Sequence, residues 1–251
     1  MITFMKQLIL GFVIAILFSS CYKQVDTTST STTDTTSTTT GTTSTVPPMI
    51  KIFNVMDYGP VYVTLNNVAI DSSVKQWYPT RYKTAKIGTN TIVVKFGGDT
   101  TRVNVGVDLL AGNYYSCFIY RVGYNWKLAI VPDIFTKPTA GKSAIRLLDF
   151  RTQAYFTYIN FRIQSAGISS LTYTARNFLD FQSYGYFTSF DYITAGTYNY
   201  TIYDNSTSKT LKSGTETFES TNIYTLLLMT RADLSPTDAL NYIDVDCETN
   251  Y

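Results

Sequence analysis

The sequence predicts an all-β protein built as two tandem β-sandwich domains, and three observations predict it. Apolar residues recur with period two from Ile50 to Val245, the spacing that puts alternate side chains on one face of a strand. No segment carries a helical stripe with caps at its ends. The second half repeats the residue order of the first at a spacing of about 100 residues.

The chain opens with Lys6, an apolar run from Leu8 to Phe18, and then Ser19, Ser20 and Cys21. A charged start, a short apolar run and small residues before a cut site read as a secretory signal peptide. The run is too short to span a bilayer, which takes about twenty apolar residues. Residues 1–20 resemble a lipoprotein signal of the Bacteroidetes type, which makes Cys21 the expected lipid attachment site. Phe18 is bulkier than the residue usual three places before such a cysteine, and the alternative is an ordinary signal peptide that leaves Cys21 a free thiol. The expected location is the outer membrane, held by the lipid anchor, at either the cell surface or the periplasmic face. Each buried methylene contributes about 0.8 kcal/mol, so several acyl chains hold a protein that one would release.

Residues 21–48 read as a linker. From Asp26 to Thr45 the chain is nearly pure Thr and Ser, closed by Pro47 and Pro48. It has no apolar period with which to bury a core. Asp26-Thr27-Thr28 and Asp34-Thr35-Thr36 resemble the three-residue O-glycosylation acceptor of Bacteroidetes, which makes Thr27 and Thr35 candidate sites of a glycoprotein; Asp99-Thr100-Thr101 also fits.

The first domain is expected over residues 49–135. Val61, Val63 and Leu65 share one strand face, as do Ile92, Val94 and Phe96, and Val103, Val105 and Val107. Gly97-Gly98 between two of these strands is a hairpin signal. The second domain is expected over residues 142–251, after a connection near Phe135–Gly141. Ile50-Lys51-Ile52-Phe53-Asn54-Val55 lines up with Ile145-Arg146-Leu147-Leu148-Asp149-Phe150. Ile87-Gly88-Thr89-Asn90 lines up with Ala195-Gly196-Thr197-Tyr198, and Asn113-Tyr114-Tyr115 with Asn222-Ile223-Tyr224. A unit of about 100 residues is the size of one immunoglobulin-like sandwich.

The strand Val61-Tyr62-Val63-Thr64-Leu65-Asn66-Asn67 and the turns Ala111-Gly112-Asn113-Tyr114 and Ala195-Gly196-Thr197-Tyr198 resemble the secreted "domain of unknown function 4397" family. The family's His-Ala-Ser-Pro is replaced by Met56-Asp57-Tyr58-Gly59-Pro60. The resemblance implies an exported immunoglobulin-like module and carries no established chemistry.

Composition narrows the function. The 20 basic and 18 acidic residues nearly cancel, and no basic stripe offers the footprint of a nucleic-acid binder. There is no His, so His-based triads and His-ligated zinc are excluded. The three Glu residues are 216, 219 and 248; Glu216 and Glu219, at odd spacing on a strand, point to opposite faces and cannot form a carboxylate pair. Asp244 and Asp246 share a face but supply too few oxygens for Ca²⁺, which takes about six to eight. No cofactor and no metal site is expected, and the protein is read as a non-enzyme.

Trp126 alternates with Tyr124, Leu128 and Ile130, which predicts a buried face. Trp77 and Tyr78 fall in a polar connection with Pro79 and are the candidate ligand contacts. Cys117 and Cys247 sit in different halves, so a bond between them would have to cross domains. The sequence therefore points to a membrane-anchored adhesion or surface-assembly module with a protein partner at the cell surface. The alternative is a glycan-binding lipoprotein accessory to polysaccharide uptake.

Overall fold

The structure is a computed structural model. It describes residues 45–251 apart from 57–58, 99, 134–135, 152–157, 184, 230–241 and 249–251, and without the side chains of 168–169 and 242–248. Cys21, Thr27 and Thr35 lie outside the described residues. Every described element belongs to one compact unit, Thr43–Tyr251.

The chain forms β1 (Met49–Asn54), β2 (Val61–Leu65), β3 (Val68–Val74), β4 (Lys83–Thr84), β5 (Gly88–Lys95), β6 (Thr101–Leu109), β7 (Tyr114–Val122) and β8 (Asn125–Asp133). These make two four-stranded sheets, ordered β4-β1-β7-β8 and β3-β2-β5-β6. Next come β9 (Lys142–Asp149), β10 (Ile159–Ser165), β11 (Ile168–Arg176), the single helical turn α1 (Asp180–Ser183), β12 (Asp191–Thr194), β13 (Gly196–Asp204), β14 (Thr210–Phe218), β15 (Ile223–Met229) and β16 (Tyr242–Glu248). Their sheets are ordered β12-β9-β15-β16 and β11-β10-β13-β14. The protein is all-β, two sandwiches in tandem.

The pairing repeats residue for residue. β1 runs parallel to β7 with Ile50 opposite Tyr115, and β9 runs parallel to β15 with Ile145 opposite Tyr224. Gly88 faces Leu109 across one hairpin, and Gly196 faces Phe218 across the other. Each half also closes a tyrosine corner, the hydroxyl-to-backbone contact of immunoglobulin-like sandwiches. The Tyr115 hydroxyl accepts from the Leu110 N–H at 3.1 Å, and the Tyr224 hydroxyl accepts from the Glu219 N–H at 2.7 Å.

Each sandwich fills its own core from alternate positions. Ile50, Ile52, Cys117 and Ile119 meet Val61, Val63, Ile92 and Val94 in the first. Ile145, Leu147, Tyr224 and Leu226 meet Phe161, Ile163, Tyr198 and Ile202 in the second. Cys117 is a free thiol in the first core, where burial pushes its pKa up.

A third core joins the halves. Phe53, Val55, Phe118, Tyr120, Ala129 and Val131 pack against Leu148, Phe150, Phe181, Leu227 and Met229. Ala129 and Val131 come from β8 and Phe181 from α1. The others lie on, or just past the ends of, β1, β7, β9 and β15, on the faces that point away from the first two cores, so those four strands are buried on both sides. Their burial is continuous, whereas β5 and β13 alternate buried with exposed. Period two marks a strand with one wet face, and a continuous apolar run marks one covered on both. Each fully buried Phe or Leu stabilises by about 1.5–3 kcal/mol, so this core is large enough to bind the halves together.

Among the described residues an ion pair crosses the same junction. The Arg146 Nη2 donates to Asp133 Oδ1 at 2.5 Å, its Nη1 to the Pro132 carbonyl at 3.0 Å, and its Nε to Thr225 Oγ1 at 2.9 Å. Asp133 Oδ2 accepts from Tyr82 and Ser116 at 2.7 Å each. Burial and the Asp133 carboxylate push the Tyr82 phenol well above its ordinary pKa.

The contacts also fix direction. Arg146 lies level with Ser116 and Asp133, while the Phe150 ring lies 5.0 Å from Phe118 and 5.8 Å from Tyr120. β9 therefore runs alongside β7 in the same sense. The two sandwiches stand side by side, with corresponding loops at the same end.

Candidate functional site

This arrangement gives the molecule two unlike ends. The linker end carries the N-terminal ends of β1, β7, β9 and β15; the far end carries their C-terminal ends. Functional loops on such scaffolds gather at strand ends, where the backbone is free to vary.

At the far end the β5–β6 hairpin turns through Gly97 and Gly98, with φ of 65° and 91°. Two successive left-handed residues suit glycine, which has no Cβ penalty there; the β2–β3 turn does the same with Asn66 and Asn67, at φ 50° and 66°. The hairpin overhangs a groove of about 440 Å³ lined by Pro60, Tyr62, Ser72, Lys95, Phe96 and the two glycines. The Lys95 ammonium stands 6.0 Å from the Tyr62 ring. The Phe96 ring lies 5.2 Å from Trp126, which fixes the groove wall to the first core. Rings beside a cation and a hydroxyl are suited to polar ligands with apolar faces, sugars among them.

Exposed tyrosines surround this end. Tyr78 is 70% exposed, Tyr124 93% and Tyr158 47%. Trp77 is different: it is half-buried and packs against the third core. Its N–H donates to the Asn54 carbonyl at 3.0 Å, which holds its backbone at φ 67°. Of the two candidate contacts, Tyr78 therefore offers its ring to solvent and Trp77 serves chiefly to seal the edge of β1. Tyr124 departs from the expectation that it shares the buried face of Trp126, because it sits in the β7–β8 turn beside Gly123. Trp126, Leu128 and Ile130 do pack against the first core.

Tyr62, Lys95 and Tyr124 were not singled out by sequence. The available signal was the hairpin glycine pair and the Gly123-Tyr124 turn, which place rings at a loop tip rather than on a strand face.

Glu216 lies in β14, and Glu219 follows it at the corner of Tyr224. Asp244 and Asp246 lie in β16, whose side chains are outside the described residues. Among the described residues no group of three or more His, Cys, Asp or Glu is placed to hold a metal ion, and no helix is long and apolar enough to cross a membrane. Asp149, wholly buried, has its carboxyl pushed up by burial and held down by Arg151. Asp204 is lowered to about 2 by hydrogen bonds from Ser206 and Thr207 in the β13–β14 turn. Both are accounted for by packing and turn formation.

No family model matches the chain, and no curated protein matches it. Solved structures with partial likeness include a family 41 carbohydrate-binding module from streptococcal virulence factors, described for alpha-glucan recognition: 12% identity over 78% of this chain and 99% of that one, TM-score 0.25. A protein from Bacteroides ovatus assigned to cell adhesion is 8% identical over 80% of this chain and 95% of that one, TM-score 0.24. A leucine-rich repeat protein from Bacteroides thetaiotaomicron is 11% identical over 71% of this chain and 25% of that one, TM-score 0.19. The ligands of those proteins are not carried over to this chain.

Proposed function

We propose that this protein is an exported, lipid-anchored module of adhesion or surface assembly that works by contact and not by catalysis. The observation that supports it most is the placement of Tyr78, Tyr124 and Tyr158 at the end opposite the linker. A fused double sandwich on a Thr/Ser spacer holds those rings away from its attachment point. Tyrosine suits contact surfaces because it offers a large rigid ring and a polar tip at little entropic cost. Cys21 is the attachment residue in this reading, and Thr27 and Thr35 are the sugar acceptors of the spacer. Cys21→Ala moves the protein from the membrane to the soluble fraction. Loss of the gene lowers attachment or biofilm formation, and restoration with a Tyr78→Ala, Tyr124→Ala double variant fails to recover it; full recovery contradicts the reading.

The groove beneath Gly97 and Gly98 favours a second reading, capture of a glycan for polysaccharide uptake. Binding on a glycan array that Tyr62→Ala or Tyr78→Ala weakens supports it. An array on which nothing binds removes it and leaves the protein-contact reading in place.

A further inference from the structure

The linker end of the first sandwich is as distinctive as the far end. Exposed aliphatic side chains gather there: Val46 is 59% exposed, Val68 70%, Ile87 51% and Leu110 65%. The pairings bring them to one end. Ile87 and Leu110 flank the Gly88–Leu109 pair, and the Val46 carbonyl accepts from the Gly112 N–H at 2.7 Å. Val68 opens β3 at the β2–β3 turn, and a groove joins it through Ala69 and Ile70 to Lys83, Thr84, Ala85 and Lys86. Scattered exposed aliphatics are ordinary, but a cluster marks a contact surface.

The second sandwich is an internal control. In the same registers Val46 is replaced by Gly141, Ile87 by the much smaller Ala195 and Leu110 by Glu219; of the four, the hairpin position after the turn keeps a large aliphatic residue, Ile168. The fold does not require large aliphatic residues at all four of these positions. Its charged groups are Lys83 and Lys86, exposed at the groove, and Asp108, which accepts from Thr89 at 2.6 Å; Lys142 and Glu219 stand at the matching end of the second sandwich.

This is also the end at which the anchor joins. The Pro48 carbonyl accepts from the Ala85 N–H at 2.8 Å, and Ala85 lines the same groove. We infer that this face rests on an anionic bilayer surface, the aliphatic residues entering the headgroup boundary and Lys83 and Lys86 meeting lipid phosphates. The inference rests on the lipid-anchor reading and adds an orientation to it. Residues 21–44 span about 27 Å on average if flexible, so the tether supplies a local concentration on the order of millimolar, enough to occupy a weak contact. Apolar side chains beside lysines are the recognised chemistry of such peripheral contacts. The far end is thereby turned outward.

The test uses the lipidated full chain in vesicles of phosphatidylethanolamine and phosphatidylglycerol containing spin-labelled lipid. A fluorophore is placed at Val68→Cys or, as control, Tyr124→Cys, in a Cys247→Ser background. Quenching about twofold or more greater at position 68 than at 124 is expected, and it falls in neutral phosphatidylcholine vesicles and with Ile87→Ser and Leu110→Ser together. Equal quenching at the two positions in protein that floats with the vesicles overturns the docking and leaves the anchor standing. Fluorescence that follows protein density and ignores lipid composition overturns it in favour of self-association. Protein that fails to float overturns the anchor, and the docking with it.

Discussion

Asn54 and Asp149 occupy the same place in the two halves, and each half buries it differently. Both are fully buried, at the last residue of β1 and of β9. Both side-chain oxygens accept from the N–H two residues on, Met56 at 3.3 Å and Arg151 at 3.0 Å. Both carbonyls accept from a residue of positive φ, Trp77 at 3.0 Å and Leu179 at 2.8 Å. In the first half the amide is neutral and donates to the Gly59 and Val74 carbonyls at 3.4 Å each. In the second a carboxylate stands there, met by Arg151 Nη2 at 2.6 Å. The place of Val74 is taken by Arg176, paired to Asp180 at 2.6 Å and donating to the Leu147 carbonyl at 2.8 Å.

The difference follows the length of one connection. Lys75–Thr80 is a short strap laid along the edge of β1, where Thr80 and Ile52 exchange hydrogen bonds. The matching edge of β9 is covered by the longer segment from Asn177 to Phe190, which contains α1. That segment brings Asp180 within reach of Arg176 and Phe187 to 4.1 Å from the same guanidinium. A longer strap costs more conformational entropy to order, and directional ionic contacts fix its position. Buried pairs are poor net stabilisers but are costly to break on one side only.

The comparison is sharpest under substitution. Arg151→Met strands the Asp149 carboxylate and costs about 3–5 kcal/mol at pH 7 by urea unfolding, whereas Asn54→Ala costs about 1–3 kcal/mol. Burial raises the Asp149 pKa, so protonation favours the folded state. Stability is greatest below the unfolded carboxyl value and falls as pH rises through the folded one; the Arg151→Met penalty therefore shrinks toward pH 4. Asp149→Asn with Arg151→Met removes both charges and loses less than Arg151→Met alone. A double variant as weak as the single one breaks the ionic account.

Phe150→Ala, in the third core, costs about 3–5 kcal/mol and separates the unfolding of the halves, where a change confined to one core, such as Ile163→Val, costs about 0.5–1.5 kcal/mol and does not. Tyr115→Phe and Tyr224→Phe each remove one corner acceptor and cost about 1 kcal/mol, equal within error if the corners are equivalent. The smallest effect concerns Asp204 in the β13–β14 turn. An NMR titration of its carboxyl carbon is expected to show a midpoint lowered to about 2, and because that value is depressed, its contribution is present above the unfolded pKa and is lost as pH falls through about 2.

Much of the fold was written in local pattern. The alternation of Val61, Val63 and Leu65 and the glycines at 88, 97 and 196 mark strands and turns, and aligning Ile50 with Ile145 gives the observed registers. The third core is harder to read because each half, by its own repeat, makes a complete sandwich. Its trace is nevertheless present: Leu226-Leu227-Leu228 and Leu147-Leu148 are apolar on successive residues, which a strand with one wet face does not need. The buried ion pairs left no such trace, since charged residues are ordinarily solvated and the partners Arg146 and Asp133 meet only through packing. At the candidate site Tyr78 was legible from its polar, Pro-containing loop. Tyr124 was not, because an alternating count carried past Gly123 assigned it to the wrong side of a turn.

Side-by-side fusion of the sandwiches is what gives the molecule its two opposed ends, and scanning calorimetry of the full chain measures it directly. A single transition whose calorimetric and van't Hoff enthalpies agree is expected for one cooperative body, with Phe150→Ala splitting it in two. Two transitions in the unaltered protein, each indifferent to Phe150→Ala, would contradict the account.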